Sequence, residues 1–329
     1  MTPPLVSVCM PCYNAEPYVA AALDSAIAQT WQPIEIIAVN DGSTDGTGEI
    51  LERYRHRGVK VIHQANRGQC AAANRALAEA KGELIKFFDA DDIMALDMIE
   101  RQVVRLGVRR NAIAMGEWAR FYRNQSEAQF LPLPMYHDAK PVDWLANEWG
   151  HGEPMMQCAL WLIPVNILRK TGGWDERLSL INDFEFFARI LLSAEDILYT
   201  PGARLFYRSG LSCSLSGART REAAESACLS VLLGTAHLLD TEDTSRTRRA
   251  CANILQTYVY GFYPHFPDLR SRINRRIREL GGSDLEPSGP PGFHKIRRLI
   301  GWKAARHVQH VAERLGLKNF VRRYFKASN

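Results

Sequence analysis

The chain has 329 residues, 46% of them hydrophobic and 23% charged, and a net charge of +5. That length and apolar share suffice for one large α/β domain with appendages, or for two domains, and exclude a disordered chain. No apolar run is long enough to span a bilayer, Met1-Thr2-Pro3-Pro4 lacks a basic leader, and Leu5 to Met10 is too short for a signal-peptide core, so a soluble or peripheral protein is expected.

Leu5 to Met10 reads as a first strand, followed by a turn at Pro11-Cys12-Tyr13-Asn14 and a helix from about Pro17 to Ala28. Cys9 and Cys12 have the spacing of a redox pair, but the segment after them does not open a helix as such a pair should. The seven cysteines form no framework and suit a reducing cytosol, and no Cys/His cluster has zinc-finger spacing. A second strand, Ile34 to Asn40, runs into Asp41-Gly42-Ser43-Thr44-Asp45-Gly46-Thr47. Glycines, hydroxyls and acids after a strand mark a loop that brings backbone close to a ligand, or a helix N-cap, or both. A helix from Gly48 to His56, a strand from Val59 to His63, a turn at Asn66-Arg67-Gly68 and an alanine-rich helix from Gln69 to Ala80 follow. Strand and helix alternating at this pitch imply right-handed crossovers and a mostly parallel sheet.

Leu84 to Phe88 is an apolar strand that ends in Asp89-Ala90-Asp91-Asp92. Open α/β sheets bind ligands just past the carboxyl ends of their strands, and that is where these acids fall. Crowded carboxylates repel one another unless they are solvated, hydrogen-bonded or neutralised by a cation. Mg²⁺ or Mn²⁺ held by one or two of them keeps positions for phosphate oxygens, which points to a nucleoside diphosphate; a plain polar loop capping the next helix is the simpler reading.

The ordered set Val8 to Asn14, Val39 to Thr47, Asn66-Arg67-Gly68, Ala80-Lys81-Gly82-Glu83 and Phe88 to Asp92 resembles the family 2 glycosyltransferases. The resemblance implies a GT-A fold, a UDP-sugar donor, a divalent metal (Mn²⁺ or Mg²⁺) and inversion at the anomeric carbon. It implies that Tyr13 lies against the base, that Pro11 is among the nucleotide-binding residues and that Asp41 accepts the base imide N–H. Asp91 and Asp92 would hold ribose and metal, with Asp89 supporting them. Position 40 is Asn where many relatives carry a first aspartate.

Leu96 to Leu106 reads as a helix and Ala112 to Met115 as a strand; Gly116 to Pro141 is irregular and aromatic, suited to an acceptor-side insertion or hairpin. After Thr171-Gly172-Gly173-Trp174, the stretch from Asn182 to Arg189 falls where the family carries a helix whose first turn presents an acid. The resemblance makes Asp183 the catalytic base, while Asn182 stands where the family often has Glu. A helix start is expected to lower the pKa of Asp183 and keep it charged. A capping role for Asp183 and a buried structural role for Trp174, in place of stacking on an acceptor sugar, are the alternatives. Ile197 to Arg208 reads as two strands or one broken at Pro201-Gly202. It leads to Tyr207-Arg208-Ser209-Gly210-Leu211-Ser212, a loop that closes on the donor in relatives; there Arg208 meets the diphosphate or is a surface arginine.

Arg219 to Leu239, Ser245 to Tyr263 and Asp268 to Leu280 read as helices, and Gly281 to Gly292 as a linker. The expected organisation is a GT-A domain over 1–215, a helical appendage over 216–281, a linker over 282–292 and a basic amphipathic tail over 293–329. The tail holds ten Lys and Arg against Glu313 alone, a charge of +9 that leaves −4 on the rest of the chain. Ile296, Leu299, Ile300, Ala304, Val308, Val311, Ala312 and Leu315 share one helical face, and Phe320, Val321, Tyr324 and Phe325 alternate with basic residues. Such helices bind anionic membranes, or their apolar face packs on the protein. The expected activity is transfer to a saccharide or lipid-linked acceptor in cell-surface polysaccharide or glycolipid synthesis, in the cytoplasm or on the membrane's inner face, with no nucleic-acid partner. A nucleotidyltransferase would show a glycine-rich basic loop after the first strand, a dehydrogenase a G-x-G-x-x-G, and neither is present. A catalytically impaired nucleotide-sugar-binding protein and, despite the missing loop, a nucleotidyltransferase are the alternatives kept.

Overall fold

The computed structural model describes residues 2–152, 156–211, 220–287 and 291–314. Two compact units divide the chain, Met1–Leu145 with Met155–Glu242, and Ala146–Pro154 with Asp243–Asn329.

The first unit alternates β1 (Val6–Cys12), α1 (Val19–Ile27), β2 (Ile34–Asp41), α2 (Thr47–Tyr54), β3 (Val59–Gln64), α3 (Gln69–Glu79) and β4 (Leu84–Phe87). The short β5 (Ile93–Met94), α4 (Met98–Leu106), β6 (Ala112–Phe121), α5 (Pro141–His151), β7 (Trp161–Pro164), α6 (Val165–Thr171), α7 (Asn182–Leu192), β8 (Asp196–Arg208) and α8 (Arg221–Thr241) follow; the end of α5 belongs to the other unit. The strands form one eight-stranded sheet in the order β3-β2-β1-β4-β7-β6-β8-β5. Its first four strands run parallel, as the alternating pattern implies, and β7 then runs antiparallel to both β4 and β6, so the sheet is mixed. Val6, Val8, Ile37, Val39, Ile85 and Phe87 are buried, as expected for strands covered on both faces.

Beyond β4 the sequence expectations hold less well. β6 runs to Phe121, deep into the stretch expected to be irregular, and β8 is one strand, with a register shift against β6 between Met115 and Glu117. The pattern Trp144, Leu145, Trp149 buries one side of α5, a helix not anticipated. No helix among the described residues is long and apolar enough to cross a membrane.

α8 packs on α7 so closely that a Cβ on Gly234 would come within 2.6 Å of the Phe184 ring. Ser226 Oγ on α8 accepts from Ser179 N (2.8 Å) and Leu180 N (3.0 Å), and Glu185 N donates to Ser230 Oγ (3.2 Å). These bonds peg the turn in which Ile181 takes a left-handed conformation (φ 58) and so fix where α7 begins.

The second unit contains α9 (Ser245–Phe262), α10 (Pro267–Glu279) and α11 (Pro291–Arg314), the last broken at Gly301 (φ 77). Thr244 caps α9 with a reciprocal bond to Thr247.

Candidate active site

Register puts the site at one rim of the sheet. Cys12 pairs with Asn40, and Phe88 N donates to Cys9 O (3.0 Å), so β1, β2 and β4 deliver the residues after them to the same edge. With strands about 4.8 Å apart, Asp41 at the end of β2 and Asp89 beyond β4 lie roughly 10 Å apart, with β1 between them. The first two loops are stitched together. Asn14 (φ 46) accepts from Thr44 N (2.8 Å), Asn14 N donates to Ser43 Oγ (3.1 Å), and Thr47 Oγ1 accepts from Ala15 N (2.8 Å). Gly42 (φ 70) lies so close to the next turn that a Cβ would meet Asn66 N at 2.7 Å.

Asp41 is buried and holds that turn: Arg67 N (2.9 Å) and Gly68 N (2.8 Å) donate to its carboxylate, as does Gln64 Nε2 (2.7 Å). Asn40 donates to His63 Nδ1 (3.0 Å) and accepts from Ser43 N (3.0 Å), which explains an amide there. The Tyr13 ring is 51% exposed at the rim, and Pro11 is half-buried in β1 beside Val39.

The aspartates after β4 are unequal. Asp92 is fully buried, with Oδ1 accepting from Arg208 N (2.8 Å) and Oδ2 from Gln157 Nε2 (2.7 Å). Asp89 accepts from Gln69 Nε2 (3.0 Å) and Gln157 Nε2 (3.3 Å), and the Cys158 thiol donates to it as well. Among the described residues the Asp91 carboxylate has no such ties beyond its own backbone N–H. Burial first, then the charge of Asp89, pushes it up to about 7, against a smaller pull from Arg208. Burial and the other two aspartates push Asp92 well above the carboxylate range.

Asp183, in the first turn of α7, joins this cluster from 91 residues downstream of Asp92 in sequence. The expected direction of its pKa is reversed: burial and the nearby charge of Asp89 raise it to about 7, outweighing the N–H groups of Phe184 and its own backbone. The helix terminus supplies two donors, and the loss of water around the carboxylate is the larger effect. Asn182 is buried behind it. Its Oδ1 accepts from Asp183 N (2.9 Å) and its Nδ2 donates to Gln69 Oε1 (3.1 Å), while Gln69 in turn donates to Asp89. A carboxylate at 182 could not donate to Gln69, so the amide is what links the two halves of the site. Tyr207 reports the same convergence, its hydroxyl pushed well up by burial and by Asp92, Asp89, Asp91 and Asp183.

The model of the family described as glycosyl transferase family 2 matches residues 7–171. The chain belongs to that family. An uncharacterized glycosyltransferase of Haemophilus influenzae is 30% identical over 214 residues, 64% of this chain and 81% of that protein. The uncharacterized glycosyltransferase EpsJ of Bacillus subtilis is 46% identical over 100 residues, 30% of this chain and only 29% of EpsJ. Among solved structures, TarS of S. aureus in complex with UDP shares the fold, with a TM-score of 0.65 at 18% identity over 84% of this chain and 79% of that one.

Against the family 2 expectations, several residues settle into definite places. Trp174 is a core residue, stacked on Phe186 (centroids 3.9 Å apart, planes at 7°) and edge-on to Phe87, so it is not a platform for an acceptor sugar. Arg208 is neither free at the surface nor extended into the site. Its Nε donates to Asp91 O (2.8 Å) and its guanidinium lies over Phe121 (4.4 Å) and Tyr18 (4.8 Å). The remainder of the closing loop, residues 212–219, lies outside the described residues. Cys9 and Cys12 are buried free thiols, both pushed well up chiefly by burial, and do not pair.

Gln157, Gln69 and Lys86 escaped sequence reasoning. Gln157 sits in an irregular segment with no motif around it, and Gln69 looks like any polar residue opening a helix. Lys86 lies fully buried in β4 with Nζ on Gln102 Oε1 (2.6 Å), and burial pushes it down to about 7; its signal was a lone charge in an apolar strand.

Among the described residues no three acidic, histidine or cysteine side chains converge on one point as a ready cation site. The residues still fit Mg²⁺ or Mn²⁺, which needs one or two carboxylates, the rest being waters and phosphate oxygens. Asp91 is available, Asp89 stands beside it, and among the described residues neither has a cationic neighbour strong enough to restore an ordinary pKa. Asp92 and Asp89, both expected at the metal, each have both oxygens on protein donors, which leaves Asp91 the carboxylate least committed to the protein.

Proposed function

We propose that this chain transfers a hexose or hexosamine from a UDP-sugar to a hydroxyl of a saccharide or lipid-linked acceptor, with inversion, in cell-surface polysaccharide or glycolipid synthesis. The observation that carries the reading is the meeting of Asp183 with the acids after β4, which brings a carboxylate able to take a proton next to carboxylates suited to a cation. That TarS, of the same fold, binds UDP and UDP-GlcNAc supports a uridine donor.

Tyr13 and Pro11 offer a face for the base. Asp41 has about four acceptor sites and three N–H donors on them, leaving one for the imide N–H of uracil. Asp91, with Asp89 beside it, would hold Mn²⁺ or Mg²⁺, which supplies Lewis-acid neutralisation of the departing diphosphate. Asp92 positions: it locks Arg208 and Gln157 around the loop. Asp183 takes the proton of the acceptor hydroxyl, and its raised pKa makes it a better proton acceptor than an ordinary carboxylate. One base and one leaving group suffice for a single displacement, hence inversion.

The test is turnover. Purified protein is incubated with a panel of nucleotide sugars, with Mn²⁺ or with chelator, and nucleotide release and transfer to saccharides and lipid extracts are measured. UDP released only with metal, together with a labelled acceptor, is the expected result. Metal-independent turnover, or none with any UDP-sugar, contradicts the reading.

A further inference from the structure

Helix α11 splits the apolar stripe read from its sequence into two faces. Phe293 and Ala305 are fully buried, with Ile296 and Trp302 packed against them. Trp302 lies edge-on to Tyr260 (4.8 Å) and Tyr263 (5.0 Å), and the Arg306 guanidinium covers Phe293 (4.7 Å). Arg297 turns the same way, donating to Pro287 O (3.2 Å) and pairing with Glu286. The helix is therefore anchored in its own unit by one side.

The other side stays in water. Leu299 is 84% exposed, Ile300 51%, Val311 50% and Val308 37%, an exposed aliphatic pair on each half of the helix. Arg298 and Lys303 are exposed among them. The break at Gly301 sets Leu299 and Ile300 on the first half and Val308 and Val311 on the second. In sequence the chain goes on to Lys318, Arg322, Arg323 and Lys326, interleaved with Phe320, Val321, Tyr324 and Phe325; that stretch lies outside the described residues.

We infer that this outer face of α11 binds an anionic lipid surface, with Leu299, Ile300, Val308 and Val311 entering the headgroup boundary and Arg298 and Lys303 meeting lipid phosphates. Charge decides between occupants. The tail from residue 293 carries +9, so a second copy of this chain would bring like charge against like, whereas an anionic leaflet attracts each basic residue and accepts the aliphatic ones. The inference is independent of the catalytic reading, and it would place the enzyme beside any lipid-linked acceptor.

The test uses the full chain and flotation with vesicles of phosphatidylcholine alone or with about 30% phosphatidylglycerol, at roughly 0.1 M and 0.5 M salt. Binding to the anionic vesicles only, weaker at high salt, is expected. Leu299→Glu/Val308→Glu and, separately, Arg298→Glu/Lys303→Glu should each lower it about tenfold, with the melting temperature unchanged since all four side chains are exposed. Failure of the unaltered protein to bind anionic vesicles overturns the inference. So does binding by both variants as strong as the unaltered protein's, or a lipid-free dimer that Leu299→Glu/Val308→Glu converts to monomer.

Discussion

At the scale of single residues, the site depends on which carboxylates are tied down and which are left available. Asp183 is half-buried, raised in pKa and held by Asn182, whereas each oxygen of Asp92 is on a protein donor. Asp183→Asn should therefore leave UDP binding intact and lower transfer about 10²- to 10⁴-fold, the usual contribution of a general base. Unchanged turnover in that variant removes Asp183 from the role. Gln157 is the less obvious test. One amide group serves two repelling carboxylates and its Oε1 accepts from Ala159 N (2.7 Å). Gln157→Ala should cost roughly 1–3 kcal/mol of stability by orphaning buried acceptors, and part of that loss should be recovered when Mn²⁺ and UDP are added. Equal melting temperatures for variant and parent would show that the amide carries no such load.

At the scale of elements, the parallel half of the sheet was legible because each strand announces itself by an apolar run and each turn by glycine and acid. The second half of β6, β7 and α5 were not: β7 is only four apolar residues, and past Met115 aromatic and polar residues follow no single period while the register against β8 shifts. The motif also located Asp41, Asp89 and Asp91, but not their partners. Gln69, Gln157 and the serines of α8 act through contacts between segments far apart in sequence, which spacing cannot reveal. α8 is the clearest case: by composition it joins the helices that follow, yet Ser226 and Ser230 set the start of α7 and with it the place of Asp183. Within β4, Lys86 makes a separate prediction. Its folded pKa of about 7 lies below the unfolded value, so the unfolded chain binds more protons between pH 7 and about 10.4, and stability from this group rises with pH across that window. Lys86→Met should remove that rise, measured by denaturant unfolding at pH 7 and pH 10; a slope identical to the parent's would mean that the ammonium is not desolvated.

At the scale of the whole molecule, the rim of the sheet and the start of α7 gather four aspartates that repel one another, and amides and backbone N–H groups share the load. Burial, with that repulsion added, gives a pH signature without metal. Asp91 and Asp183, raised from the ordinary carboxylate range to about 7, make the folded state bind more protons than the unfolded one between about pH 4 and 7. Their contribution to stability is thus present at low pH and lost as pH rises through 7. Mn²⁺ with UDP should stabilise the protein more at pH 8 than at pH 5, and Asp91→Asn should blunt that difference; equal shifts at both pH values would speak against a cation at these acids. The most direct measurement is a crystal soaked with UDP and Mn²⁺. The account predicts anomalous density for manganese about 2.1 Å from an Asp91 oxygen, with the diphosphate on the same ion and uracil between Tyr13 and Asp41. Manganese and UDP settling away from residues 89–92 would contradict it.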